Sequence, residues 1–256
     1  MTATESRISE LCKILQGLTD GQIDQIELIA RQFKLPFLEI SSAPNSDFVI
    51  PRFLQDFGDT LRIHHCFSRE PFTKDKFEYA FVRIANKCGI SAQLATRGNP
   101  GHDMTLNDVK VSLKTQADRN IKEHKLHISK FMELGKGRWV DSLEDLVGLR
   151  DQFFSHMLSY DRIISLRCLG KNPDPWHYEI VEIPKPLLME AESGSLRIMD
   201  SSKQMPKPGY CDVNDSAGKL KFQLYFDGGT ERKLQIKNLL KESCLVHGTW
   251  KFEVKT

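Results

Sequence analysis

Residues 103–116 read DMTLNDVKVSLKTQ, the stretch that most restricts what this chain can fold into. Val109, Val111 and Leu113 alternate with Lys110, Ser112 and Lys114. A period of two gives an extended strand one apolar face and one polar face. Just upstream, Asn107-Asp108 suits a two-residue hairpin loop. With those two residues in the turn, Leu106 faces Val109, Thr105 faces Lys110, Met104 faces Val111 and Asp103 faces Ser112. Directly opposed antiparallel residues lie ~4.5–5.5 Å apart at Cβ, so Asp103 stands beside Ser112 with Lys114 diagonally next to it. A carboxylate and an ammonium are thereby expected at one place on a rigid hairpin, together on one exposed sheet surface.

The flanking text supplies a frame. Residues 74–88 set Phe77, Ala80, Phe81 and Ile84 on one helical stripe, with Glu78 on the same helix and Gly89 as a stop. Residues 90–96 are strand-like, and 97–102 (RGNPGH) are turn chemistry. A helix is expected over 119–134 and another from Leu143 to Tyr160, followed by a strand from Arg162 to Cys168. Further strands are expected at 177–183, 219–226, 232–236 and 244–253. At the N-terminus, Ile8, Leu11, Cys12 and Leu15, then Ile23, Ile26, Ile29, Ala30 and Phe33, recur at helical spacing around a break that offers Thr19 or Asp20 as N-cap. Residues 1–60 hold five basic and nine acidic residues, a balance of −4. Such a hairpin is too acidic to lie on phosphates and suits packing or self-association. The outline is an α/β (α+β) chain: a helical region 1–70, a core over 71–170 and a β-rich region 171–256.

The whole chain of 256 residues is 40% apolar and 27% charged, enough for a large core and one or two domains. Its net charge of +2 excludes tail-mediated polyanion binding but leaves room for local basic faces. No apolar run approaches the ~18–20 residues of a membrane helix, the first residues lack a signal core, and the six cysteines show no Cys-x-x-Cys spacing. The expectation is a cytoplasmic protein with reduced thiols and no membrane partner.

A carboxylate beside a lysine on a hairpin suits phosphodiester hydrolysis. The carboxylate holds a divalent metal against the scissile phosphate, and the lysine orients or deprotonates the attacking water. Oxygen ligands on a hard cation that keeps several waters point to Mg²⁺. A second acidic ligand is wanted, and Glu78 and Glu123 are the candidates. The bland alternative is an exposed cross-strand ion pair worth at most ~1 kcal/mol.

Pro100-Gly101-His102-Asp103 followed by Ser112-Leu113-Lys114 resembles the signature of the PD-(D/E)xK nucleases, in particular their type II restriction endonuclease members. The order of helix with Glu, strand, Asp, strand with Lys, and helix is also similar, over roughly residues 74–170. The resemblance implies a restriction-endonuclease-like core with a central mixed sheet flanked by helices, and Mg²⁺-dependent cleavage of double-stranded DNA at a specific sequence. It makes Asp103 a metal ligand, gives Lys114 the water, and sets Gln116 where several members carry Gln. Ser112 departs from the pattern, since an Asp or Glu usually stands there. Some restriction enzymes with Ser-x-Lys recruit a Glu about thirteen residues after the Lys; that offset lands on His127 here, with Glu123 one helical turn earlier. The third acid is therefore Glu78 or Glu123. A homodimer is expected, because two-fold symmetry suits cutting both strands of a palindrome, with the acidic N-terminal hairpin as candidate dimer element. A companion DNA methyltransferase is expected genetically. The competing readings are a repair or structure-specific nuclease and, given Ser112, a catalytically inactive DNA-binding protein.

Residues 110–138 carry eight basic and three acidic residues, Arg119 and Lys122 among them. Residues 203–256 carry ten and six, and Phe226 to Lys233 reads as a hairpin tip whose Arg232 and Lys233 suit a major groove. Arg97, in the turn before Asp103, completes the DNA-binding candidates. His64-His65-Cys66 reads as strand, with neighbours on opposite faces and no function.

Overall fold

The computed structural model describes residues 3–96, 98, 101–117, 121–135, 139–140, 142–170 and 175–255. The chain begins with α1 (Ala3–Leu15), α2 (Asp20–Lys34), β1 (Glu39–Ser42), α3 (Pro51–Phe67) and α4 (Lys74–Lys87). Then come β2 (Ala92–Leu94), β3 (Met104–Leu106), β4 (Val109–Gln116), β5 (Lys125–Glu133), α5 (Leu143–Met157), β6 (Arg162–Gly170) and β7 (Trp176–Ile183). The remainder is α6 (Lys185–Met189), β8 (Ser195–Ile198), β9 (Gly209–Asn214), β10 (Leu220–Asp227), β11 (Lys233–Leu240) and β12 (Leu245–Phe252). The fold is the expected α+β mixture with a central mixed sheet.

That central sheet has seven strands in the order β1-β12-β7-β6-β4-β3-β2, and only β4 and β6 run parallel. A second, antiparallel sheet has the order β5-β11-β10-β9-β8. β1 and α3 from the first seventy residues, and β7 and β12 from the last eighty-six, all join the central layer. The β3–β4 turn takes φ 48° at Asn107 and 63° at Asp108, the left-handed pair of a type I′ turn. It pairs Leu106 with Val109, Thr105 with Lys110 and Met104 with Val111, as the turn position requires.

Two apolar clusters cover the two faces of the central sheet. On one face, Val111 and Leu113 of β4 and Ile164 and Leu166 of β6 meet Phe53, Phe57 and Leu61 of α3 and Phe77, Phe81 and Ile84 of α4. Gly58 lets α3 lie close on β12, since a Cβ there would stand 2.6 Å from the Trp250 ring. On the other face, Ile163, Val181 and Ile183 meet Leu149 and Phe153 of α5 and the inner side of the second sheet. The helix boundaries follow local chemistry. Thr19 is the N-cap of α2, its hydroxyl accepting from the Gln22 amide while the Gln22 side chain accepts from the Thr19 amide at 2.9 Å. Gly89, at φ 81°, follows the C-cap of α4.

Three expectations require correction. Residues 125–133 form strand β5, not part of a helix. Leu126 and Ile128 alternate, but the register against β11 then slips, so the next inward residue is Phe131. That bulge mimics a spacing of three, which reads as helical. His64-His65-Cys66 lies in helix α3, not in a strand. There His65 stacks on Trp176 at 3.5 Å and hydrogen-bonds the Tyr178 hydroxyl at 2.7 Å, and burial brings its pKa down to about 4. β1 and β8, each short and at a sheet edge, and the inner strand β9 had no counterpart among the expected strands.

A charged cluster ties β6, β7 and β12 to the loop before α3. Arg162 donates to both oxygens of Glu182, at 2.9 and 2.6 Å, and to both of Asp47, at 2.6 and 3.0 Å. His247 bridges Glu182 at 2.7 Å and Ser46 at 2.8 Å. Burial alone would raise the Glu182 pKa, but the hydrogen bonds from His247 and Arg162 and the Arg162 charge outweigh it and bring it to about 2. A lowered carboxylate pKa contributes stability above the ordinary value of 4.5 that fades as pH falls toward 2. Glu182→Gln is thus expected to cost about 2–3 kcal/mol at pH 7 in urea unfolding. The difference from wild type shrinks at pH 3.5; an unchanged gap there would refute the cluster's role.

Candidate active site

β3 stops at Met104, while β4 runs on to Gln116. Beyond Ser112 the edge of β4 that faced β3 therefore lacks a strand partner, and its backbone donors need another acceptor. Asp103, the residue before β3, provides it. One carboxylate oxygen accepts the Leu113 amide at 2.5 Å and the Ser112 hydroxyl at 3.2 Å. The other accepts from Lys74 Nζ at 2.7 Å. Lys74 opens α4, and its ammonium also lies 3.3 Å from Glu78, one turn along the same helix. Two carboxylates, each 20% exposed, thus converge on one cation. Burial would lower the Lys74 pKa, yet the hydrogen bond and charge of Asp103, aided by Glu78, raise it. Glu78 is raised, by burial first and by the Asp103 charge, against the pull of Lys74.

Lys114 lies on the same face of β4 as Ser112. The parallel pairing sets it beside Ser165, with Ser112 beside Ile163 and Gln116 beside Arg167. This polar face is directed into the space between the two sheets: Ser112, Gln116, Ser165 and Arg167 are all buried. The expectation of an exposed sheet surface is corrected here, because α5 and the second sheet cover the face and leave Asp103, Glu78 and Lys74 at its mouth. Lys114 has no hydrogen bond or ion pair among the described residues, and its Nζ sits 5.3 Å from the Phe131 ring centroid. Burial pushes its pKa down to about 8; the Asp103 charge opposes the shift and the Lys74 charge adds to it. Among the described residues, His156 Nε2, Tyr160 Oη and Ser165 Oγ are buried without hydrogen-bond partners. His156 feels the charges of Lys114 and Asp103, and Tyr160 that of Asp103. Such orphaned polar atoms are what ordered water satisfies.

This donor set fits a hard divalent cation. Asp103 and Glu78 offer oxygen only, and Lys74 already stands in as the ion between them. Among the described residues no three His, Cys, Asp or Glu side chains converge. One or two carboxylates, completed by waters and phosphate, is the usual requirement of Mg²⁺-type ions.

Residues 11–252 match the SmaI family of type II site-specific deoxyribonucleases. The type II restriction enzyme SmaI of Serratia marcescens is 43% identical over 248 residues, spanning 96% of this chain and 98% of that relative. The chain belongs to the SmaI family. No solved structure matches it. As a family member it is a site-specific endonuclease that acts on double-stranded DNA, which selects the restriction-enzyme reading over a repair nuclease or an inactive binder. Type II restriction endonucleases generally work with divalent metal ions. Among the described residues no helix is long and apolar enough to cross a membrane.

Within this family member, the other residues singled out from sequence fall elsewhere. Gln116 is 4% exposed and accepts from Arg167 Nε at 3.1 Å, away from the carboxylates. Arg167 pairs with Glu179 at 2.8 Å and donates to the carbonyls of Lys122, Glu123 and Lys125. Glu123 precedes β5 rather than riding on a helix, and its side chain is 73% exposed and 4.0 Å from Lys241. Lys122 is exposed beside it. Arg232 and Lys233 lie at the β10–β11 turn, Arg232 over the Trp139 ring at 5.9 Å and Lys233 3.2 Å from Glu231. Arg97 and Arg119 lie outside the described residues. Sequence reasoning missed Lys74, although its spacing of four from Glu78 at a helix start was a usable signal. Glu78→Gln is expected to slow DNA cleavage about a hundredfold or more, and Glu123→Gln less than about twofold. The reverse ranking in timed digests would move the third acid to Glu123.

Proposed function

We propose that the β3–β4 hairpin is the hydrolytic centre of a Mg²⁺-dependent restriction endonuclease of the PD-(D/E)xK type. Asp103 and Glu78 would hold the metal. When bound there, the ion supplies charge neutralisation at the scissile phosphate and acidifies its water. Lys114 orients the attacking water and accepts its proton; its enclosure favours the neutral amine far more than water does. Ser112 does not replace the missing acid as a ligand. Its hydroxyl and the Leu113 amide hold the Asp103 carboxylate in one orientation, leaving the opposite oxygen free for a cation. The observation that carries this reading is the convergence of Asp103 and Glu78 on a single positive charge at the mouth of the cleft that encloses Lys114.

Arg97, Arg119 and Lys122 suit backbone phosphates, and Arg232 and Lys233 suit base edges at a hairpin tip. The dimer that two-strand cleavage calls for has a surface in α1 and α2, where Ile8, Leu11, Ile14, Ile23 and Ile26 are 55, 51, 61, 39 and 37% exposed. Exposed apolar helix faces of this kind are what self-association covers. The setting that fits is the cytoplasm, beside a methyltransferase that protects host DNA.

Purified protein with bacteriophage DNA and Mg²⁺ is expected to give discrete fragments, with EDTA abolishing them and Lys114→Ala slowing them by about 10²–10⁴. Fragments of unchanged yield from Lys114→Ala would place the centre elsewhere. Sedimentation is expected to show a dimer that the double change Leu11→Glu, Ile14→Glu converts to monomer; a monomeric wild type would remove the dimer reading.

A further inference from the structure

We propose that Lys74 is a resident competitor for the metal position: in the DNA-free enzyme its ammonium takes the place of the divalent ion between Asp103 and Glu78. The inference rests on the reading of those two carboxylates as metal ligands. Its geometry is specific. Lys74 Nζ approaches Asp103 through the carboxylate oxygen that the β4 backbone does not use, at 2.7 Å, and Glu78 at 3.3 Å. The oxygen bonded to Leu113 and Ser112 is already committed. A cation entering between the two acids therefore meets the ammonium first, and the two cannot share the same pair of oxygens.

Charge points the same way. Lys74 sets a full positive charge directly between Asp103 and Glu78, so it already cancels much of the negative charge with which the two carboxylates would attract an ion. A divalent cation added without moving Lys74 would sit against that ammonium, which like-charge repulsion opposes. Lys74 is able to leave. Its side chain is 41% exposed, it sits in the first turn of α4, and among the described residues its ion pairs are those to Asp103 and Glu78. Lys114, enclosed and without an ion pair, has no such freedom. A DNA phosphate at the cleft mouth would draw the Lys74 ammonium outward and open the position. Metal loading and DNA binding then favour each other, because coupling between two sites is reciprocal. A nuclease built this way holds metal weakly until its substrate is in place.

The test is titration calorimetry with Mn²⁺ on the full-length, DNA-free protein, for wild type, Lys74→Gln, Lys74→Arg and Asp103→Asn, with thermal unfolding as a check on folding. Lys74→Gln is expected to bind Mn²⁺ at least tenfold more tightly than wild type, and Lys74→Arg, which keeps the charge, no more tightly than wild type. In digests, Lys74→Gln should reach its half-maximal rate at correspondingly lower Mg²⁺. Equal or weaker Mn²⁺ binding by a folded Lys74→Gln, with Asp103→Asn still abolishing the wild-type signal, would overturn the competitor role and leave the metal site standing. Mn²⁺ binding that Asp103→Asn does not affect would overturn the metal-site reading itself, and the competitor role with it.

Discussion

The site depends on one hydrogen bond, from the backbone amide of Leu113 to the carboxylate of Asp103. It exists because β3 is five residues shorter than the strand it pairs with, so that β4 is left with an amide and no strand to receive it. A carboxylate that terminates a strand edge in this way is fixed in direction as well as in place. Its committed oxygen is held by Leu113 and Ser112, and its other oxygen is presented to whatever cation the mouth of the cleft holds. The register behind it is set by two left-handed turn residues, Asn107 and Asp108. A slip of one residue would send Ser112 and Lys114 to the opposite face, among the phenylalanines of α3 and α4.

The same strand explains why two lysines so close together behave differently. Lys114 is carried by β4 into the space between the two sheets, beside Phe131 and three orphaned polar atoms, and burial lowers its pKa. Lys74 approaches from a helix start at the cleft mouth, in contact with both acids, and its pKa is raised. One amine is made neutral more readily and the other is kept charged, which is how neighbouring groups of one type come to serve different purposes. Deeper in the cleft, Arg167 joins Gln116, Glu179 and the carbonyls before β5. This buried network fastens β4 to the start of β5 in the second sheet.

Much of this was legible in the sequence, and the limits have physical causes. The alternation in 109–114 and the Asn107-Asp108 turn fix a register that depends on nothing distant, so the meeting of Asp103 with Ser112 could be read directly. The stripe of Phe77, Ala80, Phe81 and Ile84 did the same for α4. β5 was misread because a bulge after Ile128 converts a period of two into a spacing of three. The exposure of the polar face was misjudged because period alone cannot say whether polar residues meet water or a second layer. That second layer is built largely from β8 to β11, which lie far along the chain between Ser195 and Leu240. Glu78 and Glu123 were indistinguishable by spacing and are separated only by tertiary structure, which brings one to Asp103 and leaves the other in solvent near Lys241. The Ser at 112 appeared as a defect in a signature, but in three dimensions its hydroxyl braces the aspartate opposite.

The most direct measurement of this account is a crystal structure of the protein with an uncleaved DNA duplex and Ca²⁺ in place of Mg²⁺. The account requires an ion bound by Asp103 and Glu78 within carboxylate–Ca²⁺ distance, about 2.3–2.6 Å, with a backbone phosphate on the same ion and Lys114 facing it from the cleft. An ion held elsewhere, or a duplex whose phosphates never reach the end of β3, would contradict it.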